Sequence, residues 1–108
     1  MALAYTNAKV ILSSTSRTDL YTSPSSTSSV VYLLNVANVN GTSSASITIE
    51  VYDSATTSYV KLGYLIPVPG GSAYYFDKNI NLKAGDKISL TASTANYLEA
   101  FASIIQFT

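Results

Sequence analysis

The chain has 108 residues, enough for one domain whose folding buries roughly 65% of the surface of the unfolded chain. It contains no cysteine, which excludes a disulfide framework, and six Lys and Arg balance six Asp and Glu, which leaves no electrostatic footprint for nucleic acid or an anionic membrane. Histidine, the usual general base and commonest metal ligand, is also missing, so we expect no enzymatic activity, cofactor or metal.

Along the chain, apolar and polar residues alternate with a period of two, which is typical of β-strands, and we find no helical pattern. We therefore predict an all-β fold: a single antiparallel β-sandwich of about eight strands, jelly-roll-like, spanning residues 1–108. The predicted strands cover residues 8–13, 29–39, 45–53, 58–66, 73–77, 87–93 and 97–107.

The same alternation predicts which side chains point inward. Tyr32 and Tyr64 fall among apolar neighbours and are expected in the core. The predicted core also contains Ile47, Ile49, Val51, Val60, Leu62, Ile88 and Leu90.

The segment 29–39 is apolar on both faces, from Val30 to Leu34. One interpretation is a central strand that is covered on both sides. The other is a strand whose outer face meets another subunit. The sequence leaves both open.

Turn residues separate the strands. Asn40-Gly41 predicts a two-residue primed hairpin turn, because both residue types tolerate a positive φ. The proline- and glycine-rich segment 67–71 is expected to be a turn and no strand, and residues 83–86 predict a short polar corner.

The acidic residues give no catalytic or metal-binding pattern. Their sequence positions predict solvated turn residues, with a through-space pair of Asp53 and Asp77 as the one alternative left open. The carboxylates considered are Glu50, Asp53, Asp77, Asp86 and Glu99.

Nine tyrosines make aromatic side chains the most informative surface signal. Outward aromatics are common at interfaces, although ordinary surface and a sugar-stacking platform are alternatives. The apolar terminal segments 1–7 and 104–108 are expected to be extended arms that contact a neighbouring subunit. The predicted interface residues are Tyr52, Tyr59, Tyr74, Phe76, Tyr97, Phe101, Leu3 and Tyr5.

Two motifs are familiar: Tyr21-Thr22-Ser23-Pro24 leads into a strand, and Leu82-Lys83-Ala84-Gly85-Asp86-Lys87-Ile88 precedes the last two strands. In residues 18–103 the chain resembles small β-sandwich virion proteins of tailed bacteriophages, especially marine phages and cyanophages. The family's last strand usually has a serine followed shortly by an acidic residue, whereas Ser103 here is followed by Ile104 and Ile105.

This resemblance implies a structural protein of the virion, most simply a capsid decoration or cement protein that stabilises the particle. A neck, tail or fibre component is the alternative, and a carbohydrate-binding β-sandwich module is a second one. The expected partners are the chain itself, as a trimer or ring, and a shell or tail protein, with no nucleic acid and no membrane. The first residues lack a signal-peptide pattern, so we expect synthesis in the host cytoplasm.

Overall fold

The computed structural model describes residues 2–108 and consists of β-strands joined by turns and loops. Met1, the first residue of the predicted arm 1–7, lies outside the described residues. The strands are β1 (Leu3–Ile11), β2 (Thr18–Thr22), β3 (Ser28–Asn38), β4 (Ala45–Asp53), β5 (Ser58–Val68), β6 (Ala73–Phe76), β7 (Ile80–Leu82), β8 (Lys87–Ala92) and β9 (Leu98–Phe107).

The strands form two antiparallel sheets. Sheet I has the order β1-β9-β3-β6, with β7 also paired to β3, and sheet II has the order β2-β8-β4-β5. The pairs are nested: β1 with β9, β2 with β8, β3 with β6 and β7, and β4 with β5. Nested pairing across two sheets is the jelly-roll arrangement, with β6 and β7 sharing one strand position. The predicted all-β sandwich is confirmed.

The core lies between the sheets and is aliphatic. Of the seven predicted core residues, Ile47, Ile49, Ile88 and Leu90 are fully buried, and Val51 is half-buried against them. Each strand contributes alternate side chains to this layer, as a two-sided pleat requires. The largest fully buried side chains are Leu12, Leu34, Ile47, Ile49, Leu82, Ile88, Leu90, Leu98, Ile104, Val31, Val36 and Val68.

The two terminal segments pair with each other. The β1–β9 ladder runs without interruption from the Leu3–Phe107 pair to the Ile11–Glu99 pair. It continues beyond the strands, because Ala2 and Thr108 exchange backbone hydrogen bonds of 3.0 and 2.9 Å. The two segments are therefore tied down within the chain, and the expected contact of at least one of them with a neighbouring subunit stays a prediction.

Two short strands and the bounds of two others differ from the prediction. The first strand, predicted at residues 8–13, runs from Leu3 to Ile11. The sequence analysis missed β2 and β7, and it placed residues 67–71 wholly in a turn. Pro67 and Val68 instead end β5, and the turn begins afterwards, where Ser72 donates a backbone hydrogen bond to Pro69. Because β5 is an edge strand, a proline without an N–H group is tolerated there.

Two irregularities in the ladders overturn the prediction that Tyr32 and Tyr64 are buried. The β3–β9 register shifts between Val31 and Leu33, and the β4–β5 register shifts on both sides of Gly63, between Lys61 and Gly63 and between Gly63 and Ile66. A β-bulge adds a residue to one strand and so reverses the alternation beyond it. Both tyrosines are consequently exposed.

The predicted hairpin turn at Asn40-Gly41 is wrong. Residues 39–44 separate β3 from β4, and Gly41 does not adopt a positive φ. The Asn40 side chain organises this loop, since its Oδ1 accepts hydrogen bonds from the backbone N–H groups of Thr42 (3.0 Å) and Ser43 (2.8 Å).

The corner at residues 83–86 is confirmed as a β-turn. The Asp86 N–H donates to the Lys83 carbonyl at 2.9 Å, and Gly85 has a φ of 87°. A positive φ at the third position is what a type II turn requires, and glycine adopts it without steric cost.

Candidate functional site: an apolar face of sheet I

The outer face of sheet I, which we call the apolar face, combines aromatic and aliphatic side chains from four strands. In the ladder register, Tyr75, Asn35, Phe101 and Lys9 form one row across β6, β3, β9 and β1. Seven of the twelve large apolar side chains that are exposed among the described residues lie here. These seven are Leu3, Tyr5, Ile11, Tyr32, Leu33, Tyr75 and Phe101.

The central strand β3 is therefore covered on one side only. Its inner residues, such as Val31 and Leu34, are buried against sheet II, but Tyr32 and Leu33 face solvent. The interpretation of residues 29–39 as a strand covered on both faces is wrong for this chain by itself. Exposed apolar side chains grouped on one face of a sheet are typical of interaction sites.

The outer face of sheet II, the polar face, is built differently. Glu50 accepts hydrogen bonds from Arg17 through both oxygens, at 3.0 and 3.2 Å, and lies 3.4 Å from the Lys61 ammonium. Asp19 accepts a 2.8 Å hydrogen bond from Ser89 and pairs with Lys87 at 3.5 Å. The charged groups of this face are thus satisfied by one another.

Aromatic rings cover these charges. Tyr52 and Tyr59 contact each other with ring centroids 4.9 Å apart. The Arg17 guanidinium lies 3.7 Å from the centroid of Tyr59, and the Lys87 ammonium lies 5.0 Å from that of Tyr52. Such cation–π contacts hold the rings in place. The contacts of these two tyrosines are thus with other side chains of the polar face.

Glu50 is the most buried charge of the polar face, with 4% of its side chain exposed. The hydrogen bonds from Arg17 lower the pKa of Glu50, and the charge of Lys61 adds to the effect, while burial opposes it. The carboxylate therefore stays ionised and its role is structural.

Asp86 has a similar role at the corner before β8. Burial by itself would raise the pKa of Asp86, but hydrogen bonds to the carboxylate outweigh it and lower that pKa. Ser54 donates through both its N–H and its hydroxyl group at 3.0 Å, and the Lys83 N–H donates at 3.0 Å. This carboxylate ties the corner to the turn after β4.

A cleft of about 500 Å³ opens where β5 faces the β6–β7 connection. It explains why Val60 and Leu62, predicted in the core, are 57% and 38% exposed. Val60 points to the inner face of sheet II, like its ladder partner Val51. Val60 and Leu62 nevertheless border the cleft, so solvent reaches them. The cleft residues are Val51, Asp53, Val60, Leu62, Phe76, Lys78, Asn79, Ile80, Asn81, Lys83 and Asp86.

The carboxylate pair considered from the sequence is not assembled at this cleft. Asp53 borders it and pairs with Lys83 at 3.6 Å, while Asp77 is not one of the bordering residues. Among the described residues, no three His, Cys, Asp or Glu side chains come together as metal ligands. Within residues 2–108 there is also no helix long and apolar enough to cross a membrane.

The structure separates the eight predicted interface residues into three groups. Leu3, Tyr5 and Phe101 are exposed on the apolar face, and Tyr52 and Tyr59 lie on the polar face. The other three are half-buried and pack against the core, and their part in an interface stays a prediction. They are Tyr74, Phe76 and Tyr97.

The sequence analysis missed four exposed members of the apolar face. Tyr75 lies between the predicted interface residues Tyr74 and Phe76 and was not one of them, yet it is the outward residue of these three. Ile11 and Leu33 give no signal without the register, because each follows an apolar neighbour. Tyr32 was misplaced by the bulge.

Comparison with known proteins gives a structural likeness only. No protein-family model matches the chain, and no curated protein matches it. Among solved structures, the fold is similar to that of a chain from Bacillus endospore appendages, which form a novel family of disulfide-linked pili. The TM-score is 0.59 at 16% sequence identity, covering 98% of this chain and 88% of the other. At this identity the likeness concerns the fold alone.

Proposed function

We propose that the chain is a non-enzymatic structural subunit that assembles through the apolar face of sheet I. The observation that carries this proposal is the concentration of exposed aromatic and aliphatic side chains on one sheet, next to a second sheet whose charges are internally paired. By ideal strand spacings the face covers roughly 600 Å², which approaches the area that each partner buries in a stable interface.

The proposed setting is the virion of a tailed phage, where the subunit decorates and stabilises the capsid. The support is the resemblance of residues 18–103 to small phage virion proteins. A neck, tail or fibre position has the same support. The partners in this proposal are further copies of the chain and a shell or tail protein.

Assembly into a filament is the form that the structural comparison favours. The neighbour with a similar fold belongs to a family of disulfide-linked pili. This chain has no cysteine, so a filament of it would depend on non-covalent contacts alone. Such contacts would be mainly apolar and would change little with salt concentration.

The test is to remove two rings from the apolar face and to measure self-association by sedimentation. Phe101→Ser combined with Tyr75→Ser should lower the association constant at least tenfold and leave the melting temperature of the dilute protein nearly unchanged. Tyr64→Ser is the matched control, because Tyr64 is 64% exposed on β5 and Tyr75 is 66% exposed on β6. A parent protein that stays monomeric at millimolar concentration contradicts the proposal.

Carbohydrate binding is a second candidate, and the cleft beside β5 is the observation that favours it. Its floor is apolar, with one aromatic ring from Phe76, and its rim carries amides from Asn79 and Asn81. Titration with a panel of oligosaccharides should raise the melting temperature of the parent and not that of an Asn79→Ala, Asn81→Ala variant. If the melting temperature of the parent does not rise at about 10 mM oligosaccharide, carbohydrate binding is excluded as a candidate.

A further inference from the structure

Two unpaired charges of opposite sign interrupt the apolar face. They are Lys9 on β1 and Glu99 on β9, and both side chains point outward in the ladder. Within residues 2–108 neither forms an ion pair, whereas Glu50 and Asp19 on the polar face are both paired. Lys9 and Glu99 border a shared depression of about 470 Å³, together with Val10, Ile11 and Ala100.

These charges restrict what can cover the face. A purely apolar partner would leave the two charges with only each other as counter-charges, one strand and two residues apart, which makes their burial costly. A suitable partner brings an acidic group to Lys9 and a basic group to Glu99. A second copy of the chain, rotated by 180°, brings Glu99 to Lys9 and Lys9 to Glu99 in one step, because a twofold contact is self-complementary.

The position of the rotation axis follows from the sheet register. Lys9 lies opposite Phe101, and Glu99 lies opposite Ile11, so the two charges are one strand and two residues apart. An axis that exchanges them bisects the line between them at a right angle. With about 4.8 Å between strands and about 3.3 Å per residue, this axis crosses β3 roughly 2 Å from Asn35.

Asn35 lies at that point of the face. Its Oδ1 atom is buried by the chain's own residues and accepts no hydrogen bond from the described residues, so it is not open to a partner on this face. The two charges alone therefore define the symmetry of the contact.

We propose that the apolar face binds a second copy of this chain in a twofold, face-to-face pair, in which Lys9 of each copy contacts Glu99 of the other. This inference rests on the proposed function and names its partner. As the contact made by this face, it replaces both the trimer or ring expected from the sequence and a filament, because a twofold contact closes on itself and does not propagate. With the axis in this position the strands of the two copies cross at about 70°, so the contact covers roughly 400 Å² of each copy, which is the size of a weak, transient interface.

The test is a charge exchange followed by sedimentation equilibrium. Lys9→Glu and Glu99→Lys should each weaken the pair at least tenfold, because each places like charges opposite one another. The double variant should recover the parent's association, and an equimolar mixture of the two single variants should form a heterodimer. Lys78→Glu is the control, since Lys78 lies outside both faces and forms no ion pair within residues 2–108.

The outcomes separate this inference from the function on which it rests. If Phe101→Ser with Tyr75→Ser dissociates the assembly but the charge exchange does not rescue it, the face is a docking surface and the twofold pair is overturned. If neither set of variants changes association, both proposals fail. Recovery in the double variant and in the mixture supports the twofold pair.

Discussion

The outer faces of the two sheets differ in whether their side chains find partners within the chain. On the polar face, Arg17, Lys61 and Lys87 neutralise Glu50 and Asp19, and Tyr52 and Tyr59 stack beneath the cations. On the apolar face, Tyr75, Phe101 and their neighbours contact solvent. One fold thus carries a surface whose charges are paired within the chain and a surface with many exposed apolar side chains, and our proposal assigns assembly to the second.

The largest expected effect concerns the core that supports both faces. Ile49→Ala should lower the free energy of unfolding by about 2–5 kcal/mol, because it leaves a cavity at a fully buried site between the sheets. Urea denaturation measures it. Val60→Ala is the control, and its cost should stay below about 1 kcal/mol because the side chain is more than half exposed. Equal costs would mean that the cleft beside β5 is closed in solution.

The next expected effect separates the two faces directly. Glu50→Ala should cost about 2 kcal/mol of stability, since it removes charge-assisted hydrogen bonds from a buried position on the polar face. Leu33→Ser on the apolar face should change the stability of the dilute monomer by less than about 0.5 kcal/mol. Chemical denaturation at a protein concentration too low for association measures the loss of stability in both variants. A larger loss for Leu33→Ser than for Glu50→Ala would show that the two faces have been assigned the wrong roles.

Acid should weaken the polar side of the sandwich. The pKa of Glu50 and that of Asp86 are lower in the folded state than in the unfolded state, so the unfolded chain binds more protons in acid. The stability that these groups contribute is complete above their unfolded pKa values and is lost as the pH falls through their folded ones, from about pH 5 downward.

Melting temperatures between pH 7 and pH 2 measure this loss. The Asp86→Asn variant should begin less stable and show a shallower decline, because one of the two titrating groups is missing. An equally steep decline would assign the acid sensitivity to other carboxylates.

The smallest expected effect lies in the loop of residues 39–44, which joins β3 of sheet I to β4 of sheet II. Gly41→Val should change the free energy of unfolding by no more than about 0.5 kcal/mol, because Gly41 lacks a positive φ and has open space around its Cα. Gly85→Val should cost more, since the φ of Gly85 is 87° and a Cβ atom there would lie 3.2 Å from Ser54. Thermal unfolding of both variants tests this ranking.

The sequence by itself determined the strands and much of the core. In β4, Ile47 and Ile49 alternate with polar residues, and in β8 Ile88 and Leu90 are both buried. The prediction succeeds here because the two-residue period of a strand can be read from residues that are adjacent in the sequence. The interface residues were harder to predict, since an aromatic side chain fits both a core and a contact surface.

Only the tertiary structure decided which faces are covered. The bulges beside Tyr32 and Tyr64 depend on the register of a partner strand, and the exposure of Val60 depends on how far the opposite sheet reaches. The neighbourhood of Lys9 and Glu99 depends on the pairing of the first strand with the last. These relations join residues far apart in the chain, so a local pattern cannot contain them, and they exist only once the strands have paired.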